Sequence, residues 1–195
     1  MLYPESISAE ELSHLDFVDF QGPIEVIREK DESFAEAMEY LSSQTIIGFD
    51  TETKPCFLPN QPRRKVALLQ LSGRDKSYLF RLHHLGVPAS LARLMSDSSI
   101  LKIGAAVNDD IRGLQEYTKF TARGFVDLQI LAETFGIKEK SVKKLSAIIM
   151  GRRVSKSQQL SNWEAPQLSG AQIKYAAIDA WICREMYVKL MQIDD

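Results

Sequence analysis

Three short segments carry acidic residues at spacings that can bring carboxylates together. Asp50 and Glu52 sit two apart at the end of the apolar run Ile46-Ile47-Gly48-Phe49. In a strand, residues i and i+2 point to one side, so a strand reaching that far presents both acids together. Asp110 falls just past Leu101-Lys102-Ile103-Gly104, near the start of a helical pattern. Tyr175 and Asp179 are spaced i,i+4 in a helical stretch, which puts a phenol one turn before a carboxylate on the same face. Carboxylates gathered at one point repel and resist full ionisation. Hard divalent cations such as Mg²⁺ or Mn²⁺, held through oxygen, relieve that repulsion. Two such ions about 4 Å apart can stabilise both the attacking and the leaving oxygen of a phosphoryl displacement. Each segment alone is a weak signal. Asp-x-Glu is commonly a surface turn, an acid at a helix start is favoured by the macrodipole, and Tyr-Asp at i,i+4 is commonly a core phenol beside a solvated acid. The weight lies in the three occurring in order, with fitting elements between them.

Those elements can be read in outline. Ile46–Phe49, Val66–Leu71, Tyr78–Phe80, Leu101–Gly104 and Phe125-Val126 read as strands, and the second and third flank Gly73-Arg74-Asp75 as a hairpin. Helical spacing follows Asp31, starts again near Ser90 and Asn108, and covers Leu128–Phe135 and Val142–Met150. The last helix opens at Ser169-Gly170-Ala171-Gln172, an S-x-x-Q capping box. Its apolar residues Ile173, Ala176, Ala180, Cys183, Tyr187 and Leu190 recur at three and four, as a packed helix requires. Residues 1–30 read as an arm, with a capping box at Ser8–Glu11 and a short alternating strand at Ile24–Ile27; residues 31–195 read as one domain. A hairpin followed by alternating strands and helices implies an α/β class with a mixed sheet.

Composition narrows the function classes. The chain has 195 residues, 45% hydrophobic and 26% charged, which suits one packed domain. A formal net charge of −2 argues against coating nucleic acid by bulk charge. Basic clusters nonetheless occur at Arg63-Arg64-Lys65, Lys138 to Lys144, and Arg152-Arg153 with Lys156. The two cysteines, Cys56 and Cys183, lie in no zinc-binding pattern. No apolar run spans a bilayer, and MLYPESISAEELSHLDF lacks the layout of a signal peptide, so a cytoplasmic protein is expected.

The three segments resemble a known set. Phe49-Asp50-Thr51-Glu52 is similar to the first motif of the DEDD exonuclease superfamily, and Gly104-Ala105-Ala106-Val107-Asn108-Asp109-Asp110 to the second. Tyr175-Ala176-Ala177-Ile178-Asp179 matches the Y-x-x-x-D motif of its DEDDy branch. Lys65 to Leu71, Ser161-Asn162-Trp163 and Leu168 agree with the ribonuclease D group and with the exonuclease domain of the Werner-syndrome helicase. The similarity covers roughly residues 30–190. A sister branch uses a histidine five residues before the last Asp, but that position here is Lys174.

The resemblance implies a ribonuclease H-like fold: a five-stranded mixed sheet of order 3-2-1-4-5, its second strand antiparallel, flanked by helices. It implies a metal-dependent 3′-5′ exonuclease that binds a single-stranded 3′ end and releases nucleoside 5′-monophosphates, with DNA favoured over RNA. Asp50 would bridge two divalent cations, Mg²⁺ or Mn²⁺. Glu52 and Asp179 would hold the ion on the nucleophile side, Asp110 would hold the other, and Tyr175 would orient the attacking water. Of the adjacent acids, the family spacing from Gly104 selects Asp110 over Asp109. Asp127 reads as a helix cap or a residue supporting the site.

Substrate contacts are assigned to Phe57 and Leu58, as a wedge or as loop packing, and to Arg152, Arg153 and Lys156, as phosphate contacts. Trp163 reads as a packing anchor, and Lys138 to Lys144 as a solvated face. The alternative reading is a catalytically silent nucleic-acid-binding module on the same fold. Decay of that kind would first erode the acids, and all four and the tyrosine are present.

Overall fold

The computed structural model describes residues 3–56 and 64–194. Phe57, Leu58 and Arg63 lie outside the described residues. In chain order the elements are α1 (Ala9–His14), β1 (Ile24–Ile27), α2 (Glu32–Ser42), β2 (Ile46–Thr53), β3 (Val66–Ser72) and β4 (Ser77–Arg81). Then follow α3 (Leu82–Leu85), α4 (Ala89–Ser96), β5 (Leu101–Gly104), α5 (Val107–Gln115), β6 (Phe125–Asp127), α6 (Leu128–Thr134), α7 (Val142–Met150) and α8 (Gly170–Met191).

The strands form one sheet of order β1-β4-β3-β2-β5-β6. Five of them reproduce the expected 3-2-1-4-5 order, and β3 runs antiparallel to both neighbours. The count, however, is six rather than five. Ile24–Ile27 pairs in parallel with Ser77–Phe80, so the sheet begins inside the segment read as an arm. The reason is an edge: β4 otherwise presents unpaired backbone groups that a nearby extended segment can satisfy.

Alternation along β2 separates two cores. Ile47 and Phe49 pack with Phe34, Leu41, Leu69, Leu71, Phe80 and Leu91 on one side. The other side is covered by α8, which is buried along most of its length. Ser169 accepts from the Gln172 N–H at 3.2 Å while its own N–H donates to the Gln172 side chain at 3.0 Å, so the capping box fixes where this helix starts. Gly48 lets it come close. A Cβ there would overlap the Ala180 carbonyl, so only glycine allows α8 to lie directly on β2. No described helix is long and apolar enough to cross a membrane.

Candidate active site

β2 is the pivot of the sheet, with antiparallel β3 on one side and parallel β5 on the other. In open α/β sheets such a reversal leaves a crevice beyond the carboxyl ends of the strands. Asp50 and Glu52 lie at that end of β2, on the side that faces α8. Gly48, two residues before Asp50, fixes the helix against the strand, and Asp179 is therefore carried to the same point. One oxygen from each of Asp50, Glu52 and Asp179 lies within 4.8 Å of the others.

Asp110 arrives from a different direction. β5 ends at Gly104, where a Cβ would stand 2.7 Å from the Phe49 carbonyl oxygen and from Val107 Cγ1. The chain then turns through Ala106, held at φ 56°, in the left-handed region that non-glycine residues rarely adopt. Asp127 stabilises that turn. Its Oδ1 accepts from the Ala106 N–H at 3.1 Å while also capping α6 through the Gln129 N–H at 2.9 Å. Asp127 is thus both a cap and a brace for the turn that aims α5. On α5 the two adjacent acids part company. Asp110 accepts a hydrogen bond from the Thr51 hydroxyl, between the two acids of β2. Asp109 is exposed and pairs with Arg112 at 3.1 Å.

The electrostatics follow from burial and crowding. Asp50 is held well above the usual carboxylate range, by burial first, then by Asp179 and Asp110. Glu52 is pushed up to about 10 by burial and by Asp50, Asp179 and Asp110. Asp179 rises to about 7 through burial, although its hydrogen bond with Tyr175 and the charge of Lys156 oppose the rise. Tyr175 is raised too, by burial and then by Asp179 and Glu52, so its phenol keeps its proton. Among the described residues no salt bridge reaches Asp50, Glu52 or Asp179. The residues present fit hard divalent cations. They offer carboxylate oxygens at a common point, no described cation forms a salt bridge with them, and their charge is suppressed until one arrives.

The cleft around them holds about 280 Å³. Lysines also line it: Lys140, which pairs with Glu133, Lys143 at the start of α7, and Lys156. Of the Lys138 to Lys144 run, read as a solvated face, Lys140 and Lys143 line the cleft. Nothing in their spacing tells which end of α7 faces the acids. Of the expected phosphate contacts, Lys156 lines the cleft, whereas Arg152 and Arg153 do not. The Arg153 guanidinium instead lies 4.3 Å from the centre of the Phe17 ring. Trp163 is fully buried, with its ring centre 6.0 Å from that of Tyr175, so it packs the phenol from behind.

A mixed sheet of this order with acids gathered at its pivot is a ribonuclease H-like nuclease fold. The family described as 3′-5′ exonuclease matches residues 25–193. The chain belongs to that family. It is 36% identical over 149 residues to exonuclease 3′-5′ domain-containing protein 2 of Drosophila melanogaster, covering 74% of this chain and 25% of that protein. It is 31% identical over 191 residues to the bifunctional 3′-5′ exonuclease/ATP-dependent helicase WRN of Mus musculus, covering 93% of this chain and 14% of that protein. The chain thus spans a quarter or less of the length of these two relatives. The crystal structure of Escherichia coli RNase D superposes with a TM-score of 0.76 at 23% identity, over 90% of this chain and 45% of that one, and shares the fold.

Proposed function

We propose that this chain hydrolyses the 3′-terminal phosphodiester of a nucleic-acid strand and releases nucleoside 5′-monophosphates. The observation that carries the reading is the convergence of Asp50, Glu52 and Asp179 within 4.8 Å, with no salt bridge to them among the described residues. These three, with Asp110 alongside, would hold two divalent cations, Mg²⁺ or Mn²⁺. Bound there, such ions neutralise the carboxylates and polarise the phosphodiester toward attack by water.

The side chains supply the rest. The Tyr175 phenol keeps its proton and donates a hydrogen bond to Asp179, so its oxygen is left to accept from the attacking water and orient it. Lys143 and Lys156, lining the same cleft, offer the strand's phosphates cationic partners, with Lys140, paired to Glu133, beside them. Trp163 fixes the phenol's position, so orientation survives without substrate. Glu52 and Asp50, on one side of one strand, keep their separation because the sheet sets it.

On the polymer, we put DNA ahead of RNA because the motifs resemble the Werner type. RNase D, described as an exoribonuclease, shares the fold at lower identity. Matched 5′-labelled DNA and RNA single strands, with Mg²⁺ or Mn²⁺ supplied, test both points. A ladder shortening from the 3′ end, faster for DNA and abolished by EDTA, is expected. Internal cuts, or activity undiminished in excess chelator, would overturn the reading.

A further inference from the structure

Next to the carboxylate cleft lies a smaller, mostly apolar pocket of about 220 Å³. Phe17 and Val18 wall it on one side, Ala171 and Ile178 of α8 on the other, and it shares Tyr175 and Ser155 with the cleft. It therefore borders the place where the reacting phosphodiester would sit.

Phe17 is the unusual residue. It is 53% exposed, and a single exposed phenylalanine needs no explanation. This one is fixed, however. The Arg153 N–H donates to the Asp16 carbonyl at 3.0 Å and the Val18 N–H to the Arg153 carbonyl at 2.9 Å, so the backbone is tied on both sides of the ring. Val18 is buried beneath it. The Arg153 guanidinium lies 4.3 Å from the ring centre, where its charge favours the π-cloud. A held aromatic ring backed by a cation, lining an apolar pocket beside a basic cleft, is the arrangement that stacks nucleobases.

We infer that this pocket seats a base of the bound single strand on Phe17, near the reacting end, with Arg153 supporting the ring from behind. The inference rests on the nuclease reading for its substrate class. It gives the arm a role in substrate binding, and it gives Arg153 one that does not require touching phosphate. Lys174 lines the same pocket, with its charge matched by Asp19. Stacking of this kind tolerates any base, so no sequence preference follows from it.

Single strands carrying one abasic residue at successive positions from the 3′ end test the idea by cleavage rate. Wild type should slow about tenfold when the gap falls on the platform, the loss expected for one base–aromatic stack. Phe17→Ala should raise KM about tenfold on intact strands and become indifferent to a gap at that position. Phe17→Leu keeps apolar bulk against the arm but has no π-face, so it should behave like Phe17→Ala; Phe17→Trp should behave like wild type. A binding readout runs beside this one. A 2-aminopurine placed at the same position should be quenched by wild type and not by Phe17→Leu. Equal KM and equal gap dependence in Phe17→Leu and wild type would overturn the platform, as would the absence of any quenched position. Wild type that quenches 2-aminopurine yet shortens no strand would instead retire the nuclease reading and leave the platform standing.

Discussion

Two neighbouring strands bury charge toward opposite ends of the sheet, and they do so in opposite ways. At the start of β5, Lys102 is fully buried, but its ammonium donates to the carbonyls of Asp97 at 2.5 Å and Ile100 at 2.7 Å, and lies 5.3 Å from the Phe125 ring centre. At the end of β2, the carboxylates of Asp50, Glu52 and Asp179 face one another with no paired cation among the described residues. The first region satisfies its charge from within the chain and closes the turn between α4 and β5. The second leaves its charge for something from outside. A buried ionisable group that the fold has matched is architecture, while a cluster it leaves unmatched points to a ligand.

The comparison breaks most sharply at Asp50. Asp50→Ala should lower the cleavage rate at least about a thousandfold, since a metal-held phosphodiester is worth several kcal/mol at the transition state. Gel kinetics on a 5′-labelled strand would measure it, and near-wild-type activity would remove the cluster from catalysis. Asp50→Asn should do the same to activity yet raise the Tm in EDTA, because it removes a carboxyl whose ionisation burial and crowding oppose.

The next effect concerns placement rather than ligands. Gly48→Ala inserts a methyl against the Ala180 carbonyl and must displace α8 from β2. Every ligand remains, but Asp179 moves relative to Asp50. Displacements of about 1 Å at a reacting centre cost on the order of a hundredfold, so kcat should fall by about that factor while the protein stays folded. Wild-type kcat with an unchanged Tm would show that α8 has slack the structure does not suggest.

Acidity sharpens the contrast further. In chelator, Asp179 titrates near 7 in the folded protein against an ordinary value of 3.8, and Glu52 near 10 against 4.5. The folded state holds protons that the unfolded chain releases, so their contribution is complete below about pH 4 and is lost as pH rises through 7 and then toward 10. The Tm in EDTA should therefore fall between pH 5 and pH 8, and added Mn²⁺ should raise it more at pH 8. A Tm in EDTA that rises steadily over that interval would contradict the crowding argument.

The smallest effect belongs to Lys102. Burial lowers it to about 8 from 10.5. Here the unfolded chain holds the proton more tightly, so the penalty for the buried charge is complete below pH 8 and disappears as pH climbs from 8 toward 10.5. Comparing wild type with Lys102→Met by urea denaturation should reveal a stability difference that changes across that window, with cleavage altered less than twofold. A pH-independent difference would mean that the ammonium is solvated.

Much of this was legible before any coordinates. The i, i+2 spacing of Asp50 and Glu52, the i, i+4 spacing of Tyr175 and Asp179, and the Ser169 capping box each fix local geometry, and all three hold. The strand order follows from the family resemblance, apart from β1. That strand was readable as a strand but not as a sheet member, because alternation says nothing about which edge is open. The basic clusters were visible in the sequence, but not which of their lysines line the cleft, and the Phe17 pocket left no trace, since both depend on segments distant in the chain meeting at one end of the sheet.

Sequence by itself determined which way each side chain points within its own element, because the periods of 2 and 3.6 are properties of the backbone. Only the tertiary structure decided which element ends meet. That choice depends on burying apolar faces over long range: α8 on β2 at Gly48, α5 turned by Ala106 and Asp127, and the arm tied to Arg153.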